Sequence, residues 1–262
     1  MPNDPPLVTR LRGLLDRLVA SRDLYEDDQE IVCDEVAAEA RELPREGILA
    51  ALDKAVGSSP KRREESLFIL SQLTDVPEVV DRIGELLHDP DPQTQSWLIQ
   101  TVAHARLKQF ASFLNEVMES DPDPFCRGLA IHAAGTLKAD ENLPTLLRLA
   151  ERRDDEETWR LIRALQSYST EECRPYLEEW FKNRDSKSDR VIAACGLGKL
   201  GDKEAIAYLI RMLDDPDEYG PTYSNPGESL RAAQALCDIH QWPFEWEKSY
   251  VAKTAARVTR LS

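Results

Sequence analysis

With 262 residues, 42% of them hydrophobic and 31% charged, the chain is long enough to bury a core and too apolar to stay disordered. Its 48 acidic residues against 33 basic ones leave a net charge of −15, which repels a phosphate backbone, disfavours nucleic acid and favours a basic protein partner. The start, Met1-Pro2-Asn3-Asp4-Pro5-Pro6, lacks the basic and apolar segments of a signal peptide, and no stretch approaches the ~20 apolar residues of a membrane span, so a cytoplasmic location is expected.

The elements follow from a repeat. Asp-Pro-Asp-Pro occurs at Asp89–Pro92 and again at Asp121–Pro124, an offset of 32. The same period runs through Ile31, Arg63, Gln95, Arg127 and Trp159, continues to Arg190 after 31 residues and reaches Arg231 after 41. Four positions before the first six stand Asp27, Ser59, Asp91, Asp123, Asp155 and Ser186, all residue types that cap helix N-termini by accepting from free backbone N–H groups. Pro60, Pro92 and Pro124 follow three of them, at the first helical position, where a missing N–H costs nothing. Each cap opens a stretch with apolar or small residues at three- and four-residue steps, such as Leu129, Ala130, Ala133, Ala134 and Leu137. Gly135, Gly196 and Gly198 within these stretches predict close helix approach, because glycine costs about 1 kcal/mol against alanine inside a helix.

A second helix precedes each capped one: Val79–Leu87, Phe113–Met118, Leu143–Ala150, Tyr176–Phe181 and Ala205–Leu213, several after Asp75, Asp140, Ser169 or Thr170, and Asp202. The unit is helix, turn, helix, turn. About seven pairs begin near Pro6, and a final helix runs from about Trp246 to Arg260. No segment alternates with period two, so strands are not expected.

The two Asp-Pro-Asp-Pro turns, and the run Asp189-Arg-Val-Ile-Ala-Ala-Cys-Gly-Leu-Gly-Lys-Leu-Gly-Asp202, resemble HEAT-like repeats of the short type also found in phycobilin lyases. The resemblance covers roughly residues 27–241. It implies an all-α, right-handed superhelix forming a single domain over 1–262, closed by a cap over 242–262. It also implies a ladder in which Asp91, Asp123 and Asp155 meet Arg63, Arg127, Arg190 and Arg231, interrupted where Gln95 and Trp159 replace arginine. Solenoids of this kind serve most often as protein-binding platforms.

Chemistry-bearing motifs are missing. Cys33, Cys126, Cys173, Cys195 and Cys237 are scattered, without a Cys-x-x-Cys pair, and read as small buried hydrophobes. His104 and His132, on second helices of adjacent repeats, lack the carboxylate or thiolate company of a metal site. No phosphate-binding glycine motif and no nucleophile elbow occurs. No catalytic residue, cofactor or metal is therefore assigned.

Candidate binding residues come from three features. Between Asp23 and Glu42 nine carboxylates face a single arginine, and Glu35, Glu39 and Glu64 share a register: a solvated face, or a patch that steers a basic partner. The longer step to Arg231 is an insertion at Glu218–Gly227, whose Tyr219 and Tyr223 belong either to a tolerated loop or to a binding edge; Asn225 would cap the following helix, with Glu228 as its capping-box partner. Trp97 and Trp180 read as core, Trp242 and Trp246 with Phe244 and Tyr250 as an end cover, and Trp159 as packing first and exposed anchor second. The leading function is a scaffold or inhibitor that binds a basic protein, one form being an immunity-type protein that masks a toxin such as a nuclease. The alternatives are enzymes on the same scaffold, a bilin lyase-like activity or a DNA glycosylase-like one.

Overall fold

The computed structural model describes residues 5–152, 158–214, 227–244 and 249–259. Among them are fifteen α-helices and no strand. The chain divides into two compact units, Met1–Phe110 and Ala111–Ser262.

The first unit holds α1 (Pro5–Ser21), α2 (Glu26–Arg41), α3 (Ile48–Val56), α4 (Pro60–Ser71), α5 (Pro77–Leu86) and α6 (Pro92–His104). Here α1 packs against α2, α3 and α4, while α4 rests on α3 and α6, and α5 on α6. The core runs through Leu11, Leu15 and Leu18 of α1, Ile69 of α4, Ile83 of α5 and Leu98 of α6, all fully buried. Apolar residues at helical spacing supply most of the driving force, since each large aliphatic side chain removed from water contributes about 1.5–3 kcal/mol.

The second unit holds α7 (Ala111–Ser120), α8 (Pro124–Leu137), α9 (Leu143–Arg152), α10 (Thr158–Tyr168), α11 (Arg174–Asn183), α12 (Lys187–Lys199), α13 (Lys203–Met212), α14 (Glu228–His240) and α15 (Ser249–Thr259). The second helices α8, α10, α12 and α14 stack on one another in order, each flanked by its own first helix, and α15 covers α14. The seven pairs and the final helix expected from the repeat are all present.

Glycine sets the spacing of this stack. A Cβ on Gly135 would lie 2.7 Å from the Ala164 Cα of α10; on Gly196 it would lie 2.8 Å from Leu177 Cδ1 and 3.3 Å from Gln166 Cα; on Gly198 it would lie 2.8 Å from Ile239 Cδ1. The close approach predicted from these three residues is observed.

The caps behave largely as expected. Ser59 accepts from the backbone N–H of Arg62, Asp91 from Thr94, Asp123 from Phe125, Ser186 from Asp189 and Asp202 from Ala205. Both aspartates of each Asp-Pro-Asp-Pro turn have a task. Asp89 and Asp121 accept from the backbone N–H of Asp91 and Asp123, at 2.9 and 2.8 Å, closing an Asx turn that sets up the aspartate two residues on as the cap.

Other caps differ. The helix after Asp27 starts earlier, because Tyr25 is the extended residue that ends the turn; Asp27 lies inside the first turn. Val76 occupies the cap position of α5, and Asp75 instead accepts from Arg45 Nε at 2.9 Å. Asp140 opens a 3-10 turn. Gly227 is the cap of α14, with Glu228 already inside the helix and buried; Asn225 lies outside the described residues. Asp155, Tyr219, Tyr223 and Trp246 also lie outside them.

Of the expected aspartate–arginine ladder, Asp91 and Asp123 cap their own helices, Arg63 reaches Asp89 at 3.7 Å and Arg127 donates to the Asp121 carbonyl at 2.9 Å, while Asp155 lies outside the described residues.

The second helices also end on a common period. Arg106, Lys138, Ser169, Gly201 and Gln241 all have positive φ. Three of these ends carry the long Schellman bond, from Leu107 N to Val102 O, Asp202 N to Leu197 O and Trp242 N to Cys237 O. The ends at Lys138 and Ser169 use the shorter bond, to the carbonyls of Ala134 and Leu165. Only Gly201 is the residue type normally found at this position, so the signal is weak in the sequence.

Candidate functional site

The acidic N-terminal pair is built on α2. Glu35 and Glu39, one turn apart, both accept from Arg17 of α1, and Arg22 bridges Glu64 and Glu65 of α4. Both guanidiniums are held above the ordinary arginine range, Arg17 first by its hydrogen bond to Glu39 and Arg22 by its bond to Glu64. The three expected patch residues are thus exposed, but each is engaged by an arginine. Glu26, Asp28, Glu30 and Asp34 add exposed carboxylates on the same helix.

Beside these carboxylates stand apolar side chains that sequence reasoning passed over. Tyr25 is 88% exposed, Leu24 46% and Ile31 57%. The available signal was the position of Leu24 and Tyr25 between Asp23 and Glu26, where a folding turn had no apolar neighbour to offer them.

Two tryptophans expected to pack are in fact at the surface. Trp97 is exposed, its ring centroid 6.4 Å from that of Phe68, and with Gln72, Gln100 and His104 it lines a hollow of about 270 Å³ between α4 and α6. Trp159, in the first turn of α10, is 45% exposed because its neighbours Leu161 and Ile162 take the buried positions. Its ring instead carries Arg160, with the guanidinium carbon 4.4 Å from the centroid, and Arg163 at 5.7 Å. Trp180 is buried, as expected. Trp242 stacks on His240, with ring centroids 4.6 Å apart, while Phe244 meets Tyr250 edge-on and Tyr250 is buried.

Along the exposed side of the stacked second helices runs a polar groove. One hollow of about 210 Å³ is lined by His132 and Thr136 of α8, Arg163, Gln166 and Ser167 of α10, and Arg231 of α14. A second of about 140 Å³ shares Gln166 and Arg231 and continues to Lys199 and Asp238, themselves an ion pair at 3.5 Å. Burial pulls the Arg163 guanidinium below its ordinary range, and the charge of Arg231 adds to the effect. Arg231 is lowered by burial too, against the opposing pull of Cys195 and Glu228.

The thiols offer no ready nucleophile. Cys126, Cys173, Cys195 and Cys237 are buried. Burial, before any charge effect, pushes Cys126 and Cys195 up to about 12 and also raises Cys33. Among the described residues no group of three histidines, cysteines or carboxylates is placed to hold a metal ion. No helix among them is long and apolar enough to cross a membrane.

A family model for HEAT repeats matches residues 80–166 and 143–220, together just over half of the chain. This chain belongs to the HEAT-repeat family. No curated protein compared with it matches. HEAT repeats in general act as protein-interaction scaffolds; this HEAT-repeat protein presents an acidic, partly apolar face on α2 and a polar groove on α8, α10, α12 and α14.

Proposed function

We propose that this HEAT-repeat protein is a non-catalytic binding scaffold whose N-terminal helix pair docks a basic protein. The observation that carries the reading is the exposure of Tyr25, Leu24 and Ile31 among the carboxylates of α2. Large apolar side chains exposed together and rimmed by charge mark interaction surfaces. Here the rim is anionic, in keeping with a net charge of −15. Apolar anchors supply affinity, and the surrounding charge selects and steers the partner. An immunity-type inhibitor of a basic toxin is one form that fits; the Glu218–Gly227 loop, with Tyr219 and Tyr223, would extend its contact surface. A cytoplasmic setting suits five cysteines that form no disulfide.

The test is affinity capture on the immobilised chain, followed by surface plasmon resonance with the captured protein at two salt concentrations. The expected partner is basic, associates more slowly at high salt, and loses at least tenfold in affinity to Tyr25→Ala, the cost of about 1.4 kcal/mol or more that marks an anchor. A partner that binds equally well to Tyr25→Ala, with an association rate indifferent to salt, would refute the reading.

A further inference from the structure

We propose that the groove between α8, α10 and α14 is a binding site for an oxyanion carried on a protein segment, either a carboxylate or a phosphoryl group, gripped by Arg163 and Arg231. The site is independent of the α2 face. Five observations point to it. Arg163 and Arg231 line one hollow of about 210 Å³, so two cations that repel each other are held together in a recess. Both are half-buried, and the Nε of Arg163 is out of solvent without a hydrogen-bond partner. A desolvated guanidinium donor left unsatisfied is costly, and a carboxylate or phosphoryl group, which offers two oxygens side by side, is what its fork matches best.

The remaining lining supplies donors as well. His132, Thr136, Gln166 and Ser167 can each present an N–H or O–H to an anion. Among the described carboxylates, Glu228 acts on Arg231 and Asp189 on Arg163 without lining this hollow, while Asp238 lines the adjoining hollow and pairs with Lys199. Finally, Trp159 stands exposed within 5.7 Å of Arg163, an apolar contact for the residues that flank the anion on a peptide.

A peptide source is favoured over a duplex because a duplex needs many cations along its track and this groove concentrates only a few. Arginine, more than lysine, recognises carboxylate and phosphate in a directional way.

The test uses the full chain and four probes: a glutamate-rich peptide, the same peptide with phosphoserine in place of glutamate, inorganic phosphate, and a single-stranded oligonucleotide of equal charge. Titration calorimetry should show saturable binding of one or both peptides, and their order tells carboxylate from phosphoryl recognition. Arg163→Gln should weaken that binding by about tenfold or more, while Arg163→Lys, which keeps the charge without the fork, should fall between. Arg148→Gln, a control on α9 where Arg148 pairs with Glu119, should leave it unchanged. Should Arg163→Gln fail to fold, phenylglyoxal modification of the wild-type chain gives a second readout: bound peptide should protect Arg163, mapped by mass spectrometry. Absence of peptide binding at millimolar concentration, equal binding by Arg163→Gln and wild type, unprotected Arg163, or tighter binding of the oligonucleotide would each overturn the proposal.

Discussion

The Tyr168 hydroxyl donates to the carbonyl of Ala139 at 2.8 Å, with the Ala134 carbonyl also within reach at 3.2 Å, so the last turn of α10 is tied to the end of α8 in the repeat before it. Both carbonyls keep a backbone donor, Lys138 N for Ala134 and Asn142 N for Ala139. Tyr168→Phe should therefore cost about 1 kcal/mol, the net worth of one hydrogen bond, rather than the larger penalty of an orphaned group. Urea unfolding with an unchanged midpoint would show that the tie is not stabilising.

The same residue sets an alkaline limit. Burial, then the nearby carboxylate of Asp140, raise the Tyr168 phenol above its ordinary value. The folded form thus holds a proton that the unfolded chain releases near pH 10. Its contribution is complete below about pH 10 and is lost as pH rises towards the folded value. Wild type should lose more stability than Tyr168→Phe between about pH 9.5 and pH 11, measured as the difference in unfolding free energy.

The paired turn residues make a second test. Asp123→Ala removes the cap of α8 and should lower stability by about 1 kcal/mol, a few degrees in the melting midpoint. Asp121→Ala removes the bond that positions that cap, so the double variant should lose less than the sum of the two single ones. Strict additivity in a double-mutant cycle would mean that the two aspartates act separately.

Two glycines, both inside helices, should answer alanine in opposite ways. At Gly135 the new methyl would press on the Ala164 backbone of α10, and Gly135→Ala should destabilise by about 1–3 kcal/mol. At Gly13 of α1 nothing lies within 4 Å, and Gly13→Ala should stabilise by about 0.5–1 kcal/mol. Thermal melts of the two variants shifted in the same direction would contradict the packing described for α8 and α10.

For the α2 surface, charge reversal is best made away from the arginine bridges. Glu35→Lys with Glu39→Lys would also release Arg17, confounding steering with local stability. Asp28→Lys with Asp34→Lys changes exposed charge on the same helix. Once the partner is captured, this pair should slow association several-fold at low salt and change dissociation little. A dissociation rate that rises instead would make these carboxylates direct contacts.

By itself the sequence determined most of the caps, whose signals lie within four positions of one another, and their recurrence every 32 or so residues then gave the period and the pairing of helices. An Asp-Pro at a helix start acts on backbone groups that are always within its reach, whatever the fold, and Asp91, Asp123, Ser59 and Ser186 all cap as they read. Where local signals competed, the outcome was decided elsewhere: Asp75 turned to Arg45 across a repeat, and left-handed conformation was imposed on Arg106, Lys138, Ser169 and Gln241, residues that do not announce it. Exposure was beyond the sequence for a similar reason. Trp97 and Trp159 lie in helices whose buried faces are filled by smaller aliphatic neighbours, and only the packed stack shows which side of each helix was left over. The meeting of Arg163 with Arg231 was likewise decided by tertiary structure alone, since α8, α10, α12 and α14 must stack before residues of α10 and α14 can line one recess.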